Sequence, residues 1–344
     1  GSLTVSLVGG ASISAGSNGS STMTLTGTQA QINAALATLV YQGSQDFNGA
    51  DVFTIVSTDS AGTPLSDTDT VAITVNPVND PPVNTVPGAQ NVDEDTPLTV
   101  TGISVTDVDG NLASTQLSAG NGTITVTLSG SATISAGSNG SGSLTISGSE
   151  ADINATLASV NYQGNLDFNG ADLITMISTD SAGTPLSDTD TIAVTVNPIN
   201  DPPVNTVPGA QIIDEDTSLS ISGVSVNDVD GNLATTQLSV NNGNLNVSLA
   251  GGATITSGAN GSDTIVLSGS QAQINAALAT LSYQGDLNFN GADVLTVVST
   301  DSAGSPLSDI DTVAITVNPV NDPPVNTVPS AQTVDEDTAL NLSG

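Results

Sequence analysis

Asp107-Val108-Asp109-Gly110-Asn111 places three oxygen side chains on alternate residues, with a glycine that lets the backbone turn, and Asp228-Val229-Asp230-Gly231-Asn232 repeats the arrangement. A hard cation such as calcium takes six to eight oxygens from carboxylates, amide carbonyls and backbone, so these runs offer the donors it needs. The alternative is an acidic β-turn without metal. The chain carries 34 Asp and Glu against no Lys, Arg or His, a net charge of −34. Each carboxylate must therefore face water, accept hydrogen bonds or bind an external cation. Only Glu94, Glu150, Glu215 and Glu336 are Glu; the rest are Asp, whose short side chains suit turns and hard-cation coordination.

The same composition closes off other chemistry. Without Lys or Arg, phosphate backbones and anionic lipid surfaces have no counter-charge, which excludes nucleic acid as a partner and membrane attraction of that kind. Without Cys and His there are no disulfides, thiolates, imidazole bases or zinc–sulfur sites. No run of about 18 apolar residues exists to span a bilayer. Paired-carboxylate catalysis needs a cleft that separates the two pKa values, whereas each acid pair here recurs beside a turn Gly or a linker Pro; an enzyme is not expected.

The elements that must position these acids repeat every 121 residues. Asn79-Asp80-Pro81-Pro82 returns at 200 and 321, and Asp93-Glu94-Asp95-Thr96 returns at 214 and 335. A fixed period of this length describes a string of like domains. The divisions are 1–80 (the later part of a repeat), 81–201 and 202–322 (complete repeats), and 323–344 (the opening strands of another). Gly1 aligns with Gly122 and Gly344 with Gly102, so both ends fall inside a repeat. Consecutive prolines favour a stiff, extended connector.

Within 81–201, Leu98-Thr99-Val100, Ile103-Ser104-Val105, Ile124-Thr125-Val126-Thr127-Leu128, Leu144-Thr145-Ile146 and Ile192-Ala193-Val194-Thr195-Val196 alternate apolar with Thr, Ser or Ala. They predict half-buried strands, about seven or eight per repeat, in a two-sheet sandwich. Ser149 to Ala158 breaks the pattern: Ile153, Leu157 and Val160 have helical spacing, and Thr28…Gln31 and Ser270…Gln273 in the sister copies form capping boxes. One short helix of two to three turns per repeat is expected, its apolar stripe packed in the core. Tyr162 and Phe168, with Tyr41, Phe47, Tyr283 and Phe289, flank a tight turn and are expected to plug the end of the sandwich.

The ordered set Asn-Asp-Pro-Pro-Val, Asp-Glu-Asp-Thr, Asp-Val-Asp-Gly-Asn and Phe-Asn-Gly-Ala-Asp, closing on strands 171–183 and 192–196, resembles the cadherin-like tandem repeats of giant bacterial surface adhesins. The resemblance covers all repeats. It implies an all-β chain of tandem Ig/cadherin-like β-sandwich domains in an extended rod, with calcium where neighbouring repeats join. The ligands it implies are Asp80, Asp201 and Asp322 in the linkers, Glu94, Glu215 and Glu336 early in the repeat with the adjoining Asp95 and Asp216, and Asp107, Asp109 and Asn111 with Asp228, Asp230 and Asn232. From the preceding domain it adds Asp51, Asp172 and Asp293 before the penultimate strand, and Asp59, Asp180 and Asp301 in the turn after it. The linkers carry fewer acids than cadherin linkers usually do, which implies fewer or weaker ions. Asp67 with Asp69, and Asp188 with Asp190, are weaker candidates that also fit a charged strand edge.

The expected function is an extracellular stalk or fibre segment of a bacterial surface adhesin, flexible when its carboxylates repel and stiff when calcium binds. Its partners are neighbouring repeats of the same chain. A second reading is a filament protomer in which 323–344 completes the 1–80 repeat of another copy by strand addition, although counterparts of 103–121 are missing from both pieces. A third is a repeated glycan- or partner-binding module.

Overall fold

Alternation along the chain sets the faces of the sheets. In Ser187–Asn197 the side chains of Ile192, Val194 and Val196 are buried while Thr191, Ala193 and Thr195 face water, as a period of two requires. The computed structural model describes every residue except Val8 and Gly344, so the alignment of Gly344 with Gly102 lies outside the described residues. The chain divides into two compact units, Gly1–Pro198 and Ile199–Gly344.

The first unit opens with three antiparallel pairs: Ser2–Thr4 with Val40–Gln42, Ser12–Gly16 with Met23–Thr26, and Gly49–Thr58 with Ser66–Val75. Helix Gln29–Leu36 lies between them in sequence. From Val83 to Asn197 there are eleven strands, more than the seven or eight expected because several are only two to four residues long. Six form one sheet in the order Thr133–Gly137, Ser143–Ser147, Leu112–Ala119, Gly170–Asp180, Ser187–Asn197, Gln90–Asp93. The last two run parallel, pairing Val194 with Gln90 and Asn197 with Asp93. A three-stranded sheet of Gly122–Thr125, Asn161–Gly164 and Leu98–Thr99 and a pair of Val83–Thr85 with Ser104–Thr106 complete the set.

The core lies between these layers. Leu117, Ile124, Leu144, Ile146, Ile174 and Met176 are fully buried in it, as is the stripe Ile153, Leu157 and Val160. Helix Glu150–Leu157 spans two turns, capped by Ser149, which accepts from the Asp152 N–H. Both expected capping boxes form, at Thr28/Gln31 and Ser270/Gln273. Tyr162 is fully enclosed with Phe168 packed beside the core, and Tyr283 and Phe289 do the same in the second unit.

The second unit repeats the design. Gln211–Asp214 runs parallel to Ser308–Asn318, which continues through Gly291–Asp301, Leu233–Ser239, Thr264–Ser268 and Thr254–Gly258. The described residues after 318 form no strand. In the complete repeats the corresponding segments pair with strands that come later in the sequence; the strands expected in 323–344 do not form among the described residues. Among the described residues no helix is long and apolar enough to cross a membrane.

Candidate metal centre

At the leading end of the 81–198 repeat, a tight turn closed by Gly110 N–H to Asp107 C=O folds Asp107, Asp109 and Asn111 around one point. Gly110 has φ +67°, a left-handed conformation that its missing side chain permits. Asp107 is buried; its Oδ1 accepts from the Asp109 N–H at 3.0 Å, while its Oδ2 has no hydrogen-bond partner. Asn111 Oδ1 is likewise enclosed and unpartnered. The linker is tied into the same cluster. Asp80 N–H donates to Asp109 Oδ2 at 2.7 Å, and Asn79 accepts from Asn111 Nδ2 and donates to Asp180 Oδ2.

The second unit builds the same arrangement from Asn200, Asp201, Asp228, Asp230, Asn232 and Asp301. Here Asp228 is 4% exposed, and the nearby Asn232 and Asp230 N–H groups fall short of hydrogen-bond geometry to either of its carboxylate oxygens. Burial raises its pKa above the ordinary carboxylate value, with the Asp230 and Asp301 charges adding repulsion and the Asn232 and Asp230 backbone N–H dipoles opposing it. Carboxylate oxygens of Asp201 and Asp230 lie within 4.8 Å of each other. An enclosed carboxylate without a donor is costly, and enclosed oxygens with negative neighbours are what a hard cation satisfies. The residues therefore fit calcium on their own donor chemistry.

The other end of each repeat carries the early Glu. Glu94 is buried and accepts from Asn169 Nδ2 at 3.2 Å; Glu215 accepts from Asn290 Nδ2 at 3.0 Å and, through its other oxygen, from the Val320 N–H of the following linker at 2.6 Å. Asp95 Oδ1 accepts from the Asp167 N–H, and the two carboxylates approach within 4.8 Å. Both residues have left-handed backbone, φ 56° and 55°. In the second unit Asn288 takes the place of Asp167 against Asp216.

Three expectations need correcting. Asp172 and Asp180, both expected to serve the trailing junction, stand eight positions apart on one strand, about 26 Å at the usual rise. Asp180 belongs instead with Asp107 and Asn79 at the leading end, as Asp301 belongs with Asp228. Second, Asp172 is saturated: it accepts from the Tyr162 hydroxyl and from the N–H groups of Gly120, Asn121 and Leu173. Asp293 is filled in the same way by Tyr283, Asn241, Asn242 and Val294. A carboxylate has about four lone-pair sites, so these two organise the fold. Third, Asp180 and Asp301 are also consumed, by Asn79 or Asn200 and by the turn N–H groups of residues 182 and 186 or 303 and 307. Those bonds, the Asn foremost, hold both pKa values low against the opposing effect of burial.

In the first 80 residues, Asp51 accepts from the Tyr41 hydroxyl and the Val52 N–H, and Asp59 accepts from Ala61 and Leu65. Asp322 and Glu336 lie exposed in the strandless residues after 318. Asp188 is spent on the Asn84 N–H. Asn79 and Asn200, Asn169 and Asn290, Asp167 and Glu150 were missed, although the Asn of Asn-Asp-Pro-Pro and of Phe-Asn-Gly recurs with the same period as the acids.

Comparison with known proteins adds a family. Similar solved structures include Protocadherin Gamma B2 extracellular cadherin domains 3-6 (14% identity, 92% of this chain and 68% of that one, TM-score 0.32) and mouse Cadherin-23 EC22-24 (15%, 93% and 86%, TM-score 0.32). The chain spans about two thirds of the length of the protocadherin chain. No curated protein matches it. The family model for the Protein GAMETE EXPRESSED 2 domain matches residues 3–67, 99–188 and 207–310. With most of its length covered in three successive stretches, the chain belongs to the family of the Protein GAMETE EXPRESSED 2 domain.

Proposed function

We propose that this chain is a structural segment of an extracellular adhesion protein, a run of spacer repeats that calcium stiffens at the ends of each repeat. The observation that carries the reading is Asp228, buried with both oxygens unpartnered in a chain that has no cationic side chain, with Asp107 Oδ2 in the equivalent place in the other unit. Asp107, Asp109, Asn111 and the linker Asp80 would hold the ion in one repeat, and Asp228, Asp230, Asn232 and Asp201 in the next. Oxygen-only sites of this type bind calcium at roughly 10⁻⁴ to 10⁻³ M, a range suited to extracellular modules. Placement on a bacterial surface adhesin is the finer form of the reading, supported by the ordered motifs of the repeat.

The linker is where binding would act mechanically. It is fastened to the repeat before it, as Val320 is to Glu215, and to the repeat after it, as Asn79 and Asp80 are to Asp180 and Asp109. Calcium added to such a segment replaces mutual carboxylate repulsion by shared coordination. Small-angle scattering of the chain in calcium and then in chelator tests this. A shorter maximum dimension in chelator is expected; an unchanged one, or no calcium uptake by calorimetry, overturns the reading.

A further inference from the structure

On the outer face of the long sheet in the second unit, polar residues of the sister repeat have become apolar. Strand register sets Val266, Gln237, Val298 and Ile310 in one rank across four strands. The same rank in the 81–198 repeat reads Thr145, Gln116, Ile177 and Thr189. Farther along the face, Ile212 stands where the sister has Asn91. Ile310 is 63% and Ile212 69% exposed, so these exchanges put apolar surface into water without filling the core. Exposed apolar surface that one copy has and its sister lacks marks a contact surface.

Charge and hydrogen-bonding capacity select the occupant. Asp309 and Asp311 lie on the same side of their strand as the buried Val313 and Ile315, and Asp293 and Asp301 are buried. The outward residues of the five strands Thr254–Gly258, Thr264–Ser268, Leu233–Ser239, Gly291–Asp301 and Ser308–Asn318 therefore include no carboxylate. A second copy, with 34 acids and no Lys, Arg or His, is repelled by the acidic parts of this chain but not by this face. Gln237 is exposed in the middle of the rank and makes no hydrogen bond among the described residues, whereas Gln116 donates to Ser143 Oγ. An amide both donates and accepts, so Gln237 can pair with its own counterpart across a twofold axis. The Ser and Thr hydroxyls around it are self-complementary in the same way; carboxylates, being acceptors only, are not.

We infer that two copies of the chain associate side by side through this face, about a twofold axis at Gln237. Strands about 4.8 Å apart, rising about 3.3 Å per residue, give a five-strand face of about 500 Å². A pair of copies then buries about 1,000 Å², the size of a weak and reversible interface. The inference is independent of the calcium reading, because no residue of the acidic clusters takes part in it.

Sedimentation equilibrium of the whole chain in chelator, where calcium cannot bridge copies, tests it from micromolar to near-millimolar concentration. The expected result is a monomer–dimer equilibrium that tightens between about 0.1 M and about 1 M salt, as repulsion between the two acidic chains is screened. Replacing Val266→Thr and Ile310→Thr together installs the residues that the sister repeat carries at Thr145 and Thr189, so the fold is kept while the dimer should weaken about tenfold or more. Gln237→Glu sets two like charges on the axis and should abolish the dimer at low salt. Thermal melts that match the wild type confirm that both variants fold. A chain that stays monomeric throughout overturns the inference and leaves the face to a different partner. A dimer that both variants leave intact uses another surface and overturns it equally.

Discussion

Asn79 donates through Nδ2 to Asp180 Oδ2 at 2.8 Å across 101 residues of sequence, and Asn200 makes the same bond to Asp301. The linker Asn is thereby the residue that docks each linker on the repeat that follows. It completes the shell of a buried carboxylate and accepts from Asn111 on its other side.

Replacing Asn79 with Ala should free the linker from its repeat without disturbing the core. The expected result is faster cleavage around residues 77–82 by a protease without charge preference, with the melting point of the chain lowered by a few degrees at most. The Asn200→Ala variant should show the same at 198–203, and limited proteolysis with mass spectrometry reads both.

Asp228 should respond in opposite senses to metal and its removal. Asp228→Asn relieves a buried, unpartnered charge, so in chelator the variant should melt at or above the wild-type temperature, while the calcium-induced rise of that unit should be lost. Calorimetric scans with and without calcium measure both; a variant that melts lower in chelator would mean that the charge is satisfied within the protein.

Tyr162 and Tyr283 are buried, and their phenol pKa values are pushed well above 10, by burial first and then by the hydrogen bond and charge of Asp172 or Asp293. A phenol whose folded pKa is raised contributes stability that is complete below the unfolded value near 10 and is lost as pH climbs toward the folded value. With three Tyr and no Trp in the chain, absorbance at 295 nm in an alkaline titration should show two phenols that ionise only as the protein unfolds. Ionisation of all three near pH 10 in the folded state would contradict the enclosure.

Leu157 anchors the helix on the core with no exposure. Leu157→Ala should cost about 2–5 kcal/mol, read by denaturant unfolding of its unit. Ser270→Ala, which removes one half of a capping box, should cost about 1 kcal/mol.

What the sequence disclosed was local. The helix, its stripe and both capping boxes follow from spacings of three and four, and the alternating strands from a spacing of two. The leading half of the candidate site was visible in Asp107, Asp109 and Asn111 for the same reason. What it concealed depends on partners about a hundred residues away: Asn79 against Asp180, and Gln90–Asp93 beside the final strand. Asp172 looked like a ligand because its type and period match the others. Only the folded chain shows that Tyr162 and three N–H groups have already taken its lone pairs. Glu150 is the first residue of its helix, and its bond to the Asp107 N–H joins positions 43 apart that no local spacing links.

The parallel pairing of Gln90–Asp93 with Val194 to Asn197 has a consequence for force. Tension entering a repeat at its first proline and leaving at its last strand pulls these two neighbours past each other along their length. The four register pairs are then loaded together in shear, so a repeat under pull should hold until they fail as a group.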